Sequence, residues 1–488
     1  MFGTLICKEI VETILDLRFV IVTVLFIVLI PLGMYVGRKD YERRLDNYHR
    51  EHQMYRQHYG NRVHADVEAQ GFRPPPILSM FAMGIDSFIP EKAITTRAGL
   101  VRGEKQAGID NPQALLFGKA DFLFNVSFIV SLGALIFSFN RVSGEKEKGT
   151  LRLMIANPIR RAQILLAKIL GNYAALLIPF VAALLIALLI LTLSPDIALF
   201  SAQFWPATSV IVLITLLLIL AMVSLGICIS TLTRSSAASI MVVFLVWVTA
   251  VLGIPKISPM IAEAVYTVES RSVANLRQQV AREDIEKEFD QKKRQLYEQC
   301  RTEFGLDPRS VSSGGRIGEA AQKANAKYDR EVVTLDSQCA RRVATTIRRY
   351  EQDYRNKRAV QTSIAVNVSR LSPISCYTYL IAGLSGTGPA EPERFKRNAQ
   401  RYQDHVKEAI YDNYIMRRYG NTTGSSASSV NRVDGFNESE AVVPDMQYQY
   451  TTLAETLQAS WPDLALLFLF NLVFFALAFV RFNKYDVR

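Results

Sequence analysis

The stretch 143–168 holds the densest set of groups able to do chemistry, and two chemistries can be asked of it. The first is phosphate binding, because 144–150 has the outline of the G-x-x-x-x-G-K-[ST] loop. Gly149 is followed directly by Thr150, so no lysine reaches the β- and γ-phosphates. Glu145 and Glu147 would put carboxylates where phosphates should sit, and no strand precedes them. Nucleotide binding by this chain is not expected. The second chemistry is docking. Gly149 and Thr150 open a helix with Thr150 as its N-cap, Leu151, Met154 and Ile155 share one apolar face, and Asn157 with Pro158 ends it. Glu145 and Glu147 read as exposed carboxylates. With Arg160 and Arg161 the helix makes a compact knob able to fill a groove on a partner protein.

Other reactive groups are sparse. His49, His52, His58 and His64 fall in or just beyond a helical stripe of Tyr41, Leu45, Tyr48, His52, Tyr55 and Tyr59. His49 and His52 could share a face as metal ligands, but no acidic or Cys partner has ligand spacing, and stacking among the tyrosines is the competing reading. Cys300 and Cys339 lie on apolar helical stripes. If their helices end near Phe304 and restart near Arg316, Cys300 faces a residue near Ala321 and Cys339 lies about 27 Å further along, too far for a disulfide. Both then read as buried apolar side chains, and Cys376 has no evident mate. No nucleophile with a base and no acid pair in a pocket pattern appears, so an enzyme is not expected.

The elements that must position the knob are membrane helices. The chain has 488 residues, is 50% hydrophobic and carries a formal charge of +11. Apolar runs at 19–37, 121–140, 169–194, 207–232, 237–255 and 462–481 are each long enough to cross the hydrocarbon of a bilayer. Residues 1–18 precede them, with Leu5, Ile6, Ile10, Ile14 and Leu17 near helical spacing, as in an amphipathic helix lying on the membrane. The fold class expected is an all-α polytopic membrane protein.

Charge gives the orientation. Segment 141–168 carries seven basic and two acidic residues, Arg234 lies in the link 233–236, and the tail 482–488 is basic, whereas 195–206 has no Lys or Arg. Both termini and the knob are therefore expected in the cytoplasm, in a cell (inner) membrane. Segments 38–118 and 256–460 then face outward. The larger one holds 30 basic and 26 acidic residues, a balance that gives no reason to expect nucleic-acid binding.

Inside the spans the polar groups are mild. Asn125, Ser131, Asn172, Ser230 and Asn471 are expected to bond between helices, Pro179 to kink its helix and Gly226 to allow close packing. Without an intramembrane carboxylate or His, a proton-coupled carrier is not expected. In the larger outer segment, Val273, Leu276, Val280, Ile285, Phe289, Leu296 and Cys300 lie mostly at helical spacing. Ala321, Ala324, Tyr328, Val332, Leu335, Cys339, Val343, Ile347, Tyr350 and Tyr354 form a second stripe. A break rich in Gly and Ser at 305–318 separates them, so a long helical hairpin is predicted. Residues 420–437, rich in Ser, Asn and Gly, read as a loop.

The order Glu145, Gly149, Thr150, Leu151, Asn157, Pro158, Arg160 or Arg161, and Lys168 resembles the loop of ABC-2 type transporter permeases. Six spans, an N-terminal amphipathic segment and a loop after the second span agree with that resemblance. The phrases from Arg73 to Ser79, from Ser369 to Pro373, and Gly386, Thr387, Gly388 resemble members with enlarged external domains. The resemblance implies that Glu145, Glu147, Gly149, Thr150, Leu151, Asn157, Pro158, Arg160 and Arg161 couple the chain to a separate cytoplasmic ABC ATPase subunit. ATP would sit on that subunit, with no cofactor in this chain. It also implies pairing with a second permease subunit, identical or different. The outer hairpin would dock an external protein partner, and membrane lipid surrounds the spans. The alternative function is a membrane-anchored scaffold or receptor that uses the hairpin without translocating anything.

Overall fold

A computed structural model describes residues 2–59, 69–95, 101–104, 120–156, 159–192, 204–304, 319–420 and 444–484. Helix α1 (Phe2–Ile14) ends at a bend, and α2 (Leu17–Tyr59) follows as one uninterrupted helix of 43 residues. The first span and the Tyr-rich stripe are therefore a single rod. Helix α3 (122–138) opens on Asp121, whose side chain accepts from the Phe124 N–H, and contains a π-turn at Val126–Val130. Two short helices come next, α4 (Ser143–Lys148) and α5 (Thr150–Ala156), and then α6 (Arg161–Thr192), α7 (Phe204–Leu232) and α8 (Ser236–Val248). Six helices among the described residues are long and apolar enough to cross a membrane, so this is an all-α polytopic membrane protein.

Contacts divide the chain into two compact units, 1–254 with 370–488, and 255–369. In the first, an apolar core runs through the bundle from Phe26 and Ile30 of α2 to Phe180 of α6, Ile211 and Leu218 of α7, and Leu467 of the last helix, α15 (Trp461–Asn483). The mild polar residues do bond between helices: Asn125 donates to the Leu29 carbonyl, and Asn471 to that of Leu217 at 3.3 Å. Gly226 lets α7 close on Ser138 of α3. Helix α12 (Pro373–Leu384) was not anticipated. Its Tyr377 is fully buried and pairs with the Thr215 hydroxyl of α7 at 3.1 Å.

A three-stranded antiparallel sheet, β1 (Ala69–Phe72), β2 (Lys92–Thr95) and β3 (Val101–Glu104), departs from the helical plan, with Phe72 opposite Lys92 and Thr95 opposite Val101. It packs against helix α13 (Glu391–Gly420) through Ala69, Tyr402 and Val406, and a short helix, α14 (Leu453–Ala459), comes before α15. Two of the three phrases noted in sequence, around Arg73 and around Thr387, meet here. The Thr387 hydroxyl donates to the Ala82 carbonyl at 2.9 Å and its carbonyl accepts from the Ile85 N–H at 3.0 Å. Buried Arg73 donates to Asp86 at 2.6 Å, and Arg44 of α2 bonds the other oxygen of that carboxylate.

The second unit contains α9 (Ile254–Val265) from Pro255 onward and the predicted hairpin, α10 (Arg271–Phe304) and α11 (Glu319–Ser369). Leu296, Cys300 and Tyr328 form its buried cluster, flanked by Lys293 to Asp336 at 2.6 Å and Arg342 to Glu288 at 2.8 Å. Cys300 thus packs beside Tyr328, about two helical turns further along than the expected Ala321. Cys300, Cys339 and Cys376 are all free thiols. The contact division also separates the hairpin from 370–460, which the sequence reading grouped with it.

Candidate functional site

The knob is built from two helices, not one. Helix α4 ends on Gly149, whose φ of 74° is the left-handed conformation that a Cβ penalises, and its N–H returns to the Lys146 carbonyl at 3.2 Å. Thr150 is then the first residue of α5 and not its cap. Leu151 is fully buried, with Met154, Ile155 and Ile159 packed on the same core, as the apolar face predicted. The opposite face carries Lys148, Thr150, Arg152 and Leu153, with Leu153 71% exposed.

Successive residues of α4 point about 100° apart, so its acid-base-acid run reaches three different helices. Glu145 bonds Lys168 of α6 at 2.6 Å. The Lys146 ammonium donates to the carbonyls of Thr231 at 2.5 Å and Thr233 at 3.0 Å, at the C-terminal end of α7. Glu147 accepts from the Ser236 N–H, the first residue of α8, at 3.1 Å. A cation at a helix C-terminus and an anion at an N-terminus both suit the helix dipole. Ser230 adds a fourth tie by accepting from the Val142 and Ser143 N–H groups at 3.0 and 2.9 Å.

The expectation that Glu145 is exposed was wrong. It is turned inward, where Lys168 is 1% exposed and also bonds Glu9 of α1 at 3.0 Å. The face of α1 that packs inward is correspondingly polar: Glu9 and Thr13 are buried while Val11 and Leu15 are exposed. Thr13 donates to Asn172 at 3.2 Å and accepts from Arg141 at 2.8 Å. Lys146 and Lys168 stand out in the sequence as orienting charges, and Lys168 also through the family pattern; their inward partners do not, and Glu9 is hidden because a carboxylate on a helix lying on a membrane is expected to face water. The spacing of Glu9 and Thr13, one turn apart, was the available signal.

Of the remaining residues, Arg161 bonds the Asn483 carbonyl at the end of α15, and Arg160 is exposed. Asn157 and Pro158 lie outside the described residues. His52 stacks on Tyr48, with centroids 5.9 Å apart, and meets Phe72 edge-on. Among the described residues no group of three or more His, Cys, Asp or Glu is placed to hold a metal, and His64 lies outside them.

The bundle that holds the knob defines a multi-pass membrane protein. A family model of ABC-2 family transporter proteins matches residues 4–487, and the chain belongs to that family. A search of curated proteins returns no match.

Proposed function

We propose that the chain is the permease subunit of an ABC transporter, and that a separate ATPase drives it to export, extract or do mechanical work on a substrate outside the cytoplasm. The observation that carries this reading is the knob: a short helix fixed to α6, α7 and α8 by Glu145, Lys146 and Glu147, with a basic face around exposed Leu153. A rigid element tied to three spanning helices can pass the displacement of a moving partner to the bundle as a whole. Its face suits a groove with an apolar floor for Leu153 and an acidic rim for Lys148, Arg152 and Arg160. ATP is bound by that partner, and this chain needs no cofactor of its own. In this reading both termini and the knob are cytoplasmic, as the short-loop charges favour, and a second permease subunit completes the machine.

Leu153→Asp combined with Arg152→Glu should abolish co-purification of the partner ATPase while leaving the thermal unfolding of this chain unchanged. Retained association would overturn the assignment of the knob. The scaffold alternative draws on Val273, Leu276 and Val280, exposed at helical spacing on α10. It predicts that an ATPase unable to hydrolyse ATP supports full function, whereas the permease reading predicts that function is lost.

A further inference from the structure

A charged group buried in a membrane-protein bundle calls for an explanation, and at the root of the knob two of them, Lys168 and Glu9, meet the partly buried Glu145. The Lys168 ammonium lies 2.6 Å from Glu145 and 3.0 Å from Glu9, so α4, α6 and α1 converge on one buried nitrogen. The Oε2 atoms of both carboxylates are buried without a hydrogen-bond partner, while the half-exposed Lys8 ammonium approaches the Oε1 atoms that bond Lys168, at 3.8 Å from Glu9 and 4.0 Å from Glu145. Two acids therefore share one fully buried base. Around this point α1 sits directly on α6: a Cβ at Gly171 would stand 2.5 Å from the Glu9 Cβ. Arg141, just before α4, reaches the same face of α1 through Thr13.

Stability alone is a poor reason for such a cluster, since replacing a buried ion triad by well-packed apolar residues is often neutral or stabilising. Direction is a better one, because an ammonium held between two carboxylates fixes which faces of three helices meet. We propose that Lys168 is a positioning residue of the coupling step: with Glu9 and Glu145 it locks α1 and the α4–α5 knob into one body, so that displacement of the knob carries the N-terminal helix with it. This rests on the coupling role proposed for the knob. The N-terminal helix then becomes a lever in the transmission path and not a passive float on the membrane surface.

The test uses the full chain with its ATPase. Cys7 is exposed on α1 and takes a spin label, and Ala156→Cys, at an exposed position at the end of α5, supplies a second label on the knob, with Cys339→Ser in the background. The wild-type triad should give one narrow label-to-label distance that is the same in the permease alone, with ATPase, and with ATPase trapped in its nucleotide-bound state. The apolar triad Glu9→Leu, Lys168→Met, Glu145→Leu should keep thermal stability and ATPase association. It should broaden the distance and lower permease-stimulated ATP hydrolysis by about tenfold. Lys168→Arg, made with Glu9 and Glu145 in place, should keep both the narrow distance and the stimulation. A narrow distance in the apolar triad, unchanged stimulation, or a wild-type distance that shifts with nucleotide would each overturn the proposal. Should the apolar triad fail to fold, Glu9→Gln leaves the Lys168 to Glu145 pair in place, and an unbroadened distance in that variant overturns the proposal equally. Failure of the coupling role itself looks different: Leu153→Asp would then leave ATPase association intact, while the distance in the permease alone still reports on the lock.

Discussion

Gly171 sets how closely α1 can approach α6, because any Cβ there collides with the Cβ of Glu9, an atom that cannot swing away. Gly171→Ala should therefore push α1 off its seat and destabilise the protein by about 1–3 kcal/mol, even though Ala is the better helix former. Gly3, on α1 itself, faces open space, with nothing within 4 Å of where a Cβ would stand, so Gly3→Ala should change stability by less than about 0.5 kcal/mol. Thermal unfolding in detergent compares the two. Equal effects would mean that α1 is not seated through Gly171. The contrast isolates the contact, since both substitutions add the same methyl group to a helix.

At the scale of elements, exposed ion pairs link the two helices of the hairpin on either side of the buried Leu296, Cys300 and Tyr328. Glu288 bonds both Lys292 and Arg342 at 2.8 Å, and these hydrogen bonds hold its carboxyl below the usual range. A carboxylate depressed in the folded state contributes stability that is present above its unfolded value near 4.5 and is lost as pH falls through the folded value. Amide protection around Glu288 and Arg342, measured relative to the intrinsic exchange rate at each pH, should thus fall on acidification below about pH 4.5, and Glu288→Gln should remove part of that acid sensitivity. Protection that is the same on either side of that pH would reject a role for the pair. The stripe of α11 was legible in sequence because Val332, Leu335, Cys339, Val343 and Ile347 repeat at helical spacing, and all are half-buried. Helix α12 was not legible: its 12 residues are too few to read as a span, and only the packed bundle shows where they go. The strands were missed for a related reason, since four-residue segments carry almost no periodic signal. For the knob, the apolar face of Leu151, Met154 and Ile155 could be read, but the partners of Glu145 could not. Lys168 is 23 residues away and its own second partner, Glu9, is on another helix, and pairing at that distance is fixed by tertiary packing.

For the whole molecule, the decisive point is where the chain leaves the bundle unit and where it returns. It departs after Ile254 and re-enters at Arg370, and just inside those points the Ser372 hydroxyl donates to the Ala250 carbonyl at 2.7 Å. Arg370 then grips Asp463 at the start of α15 through two hydrogen bonds of 2.7 and 2.9 Å. The two ends of the excursion are thus pinned to one another within the bundle unit. Loop closure between pinned ends depends only weakly on the length of chain between them, each doubling costing about 0.6 kcal/mol. Replacing 257–367 by a short Gly/Ser linker should therefore leave the bundle folded, with a melting temperature within about 5 °C of the full chain. The excised permease should still bind the ATPase through Leu153 and Arg152, because the knob and its ties to α1, α6, α7 and α8 lie wholly in the retained unit. What it should lose is the biological output, if the hairpin is the part that engages a partner outside the membrane. Loss of ATPase association on excision would show that the hairpin supports the knob, and full retained output would show that the substrate is engaged by the bundle alone.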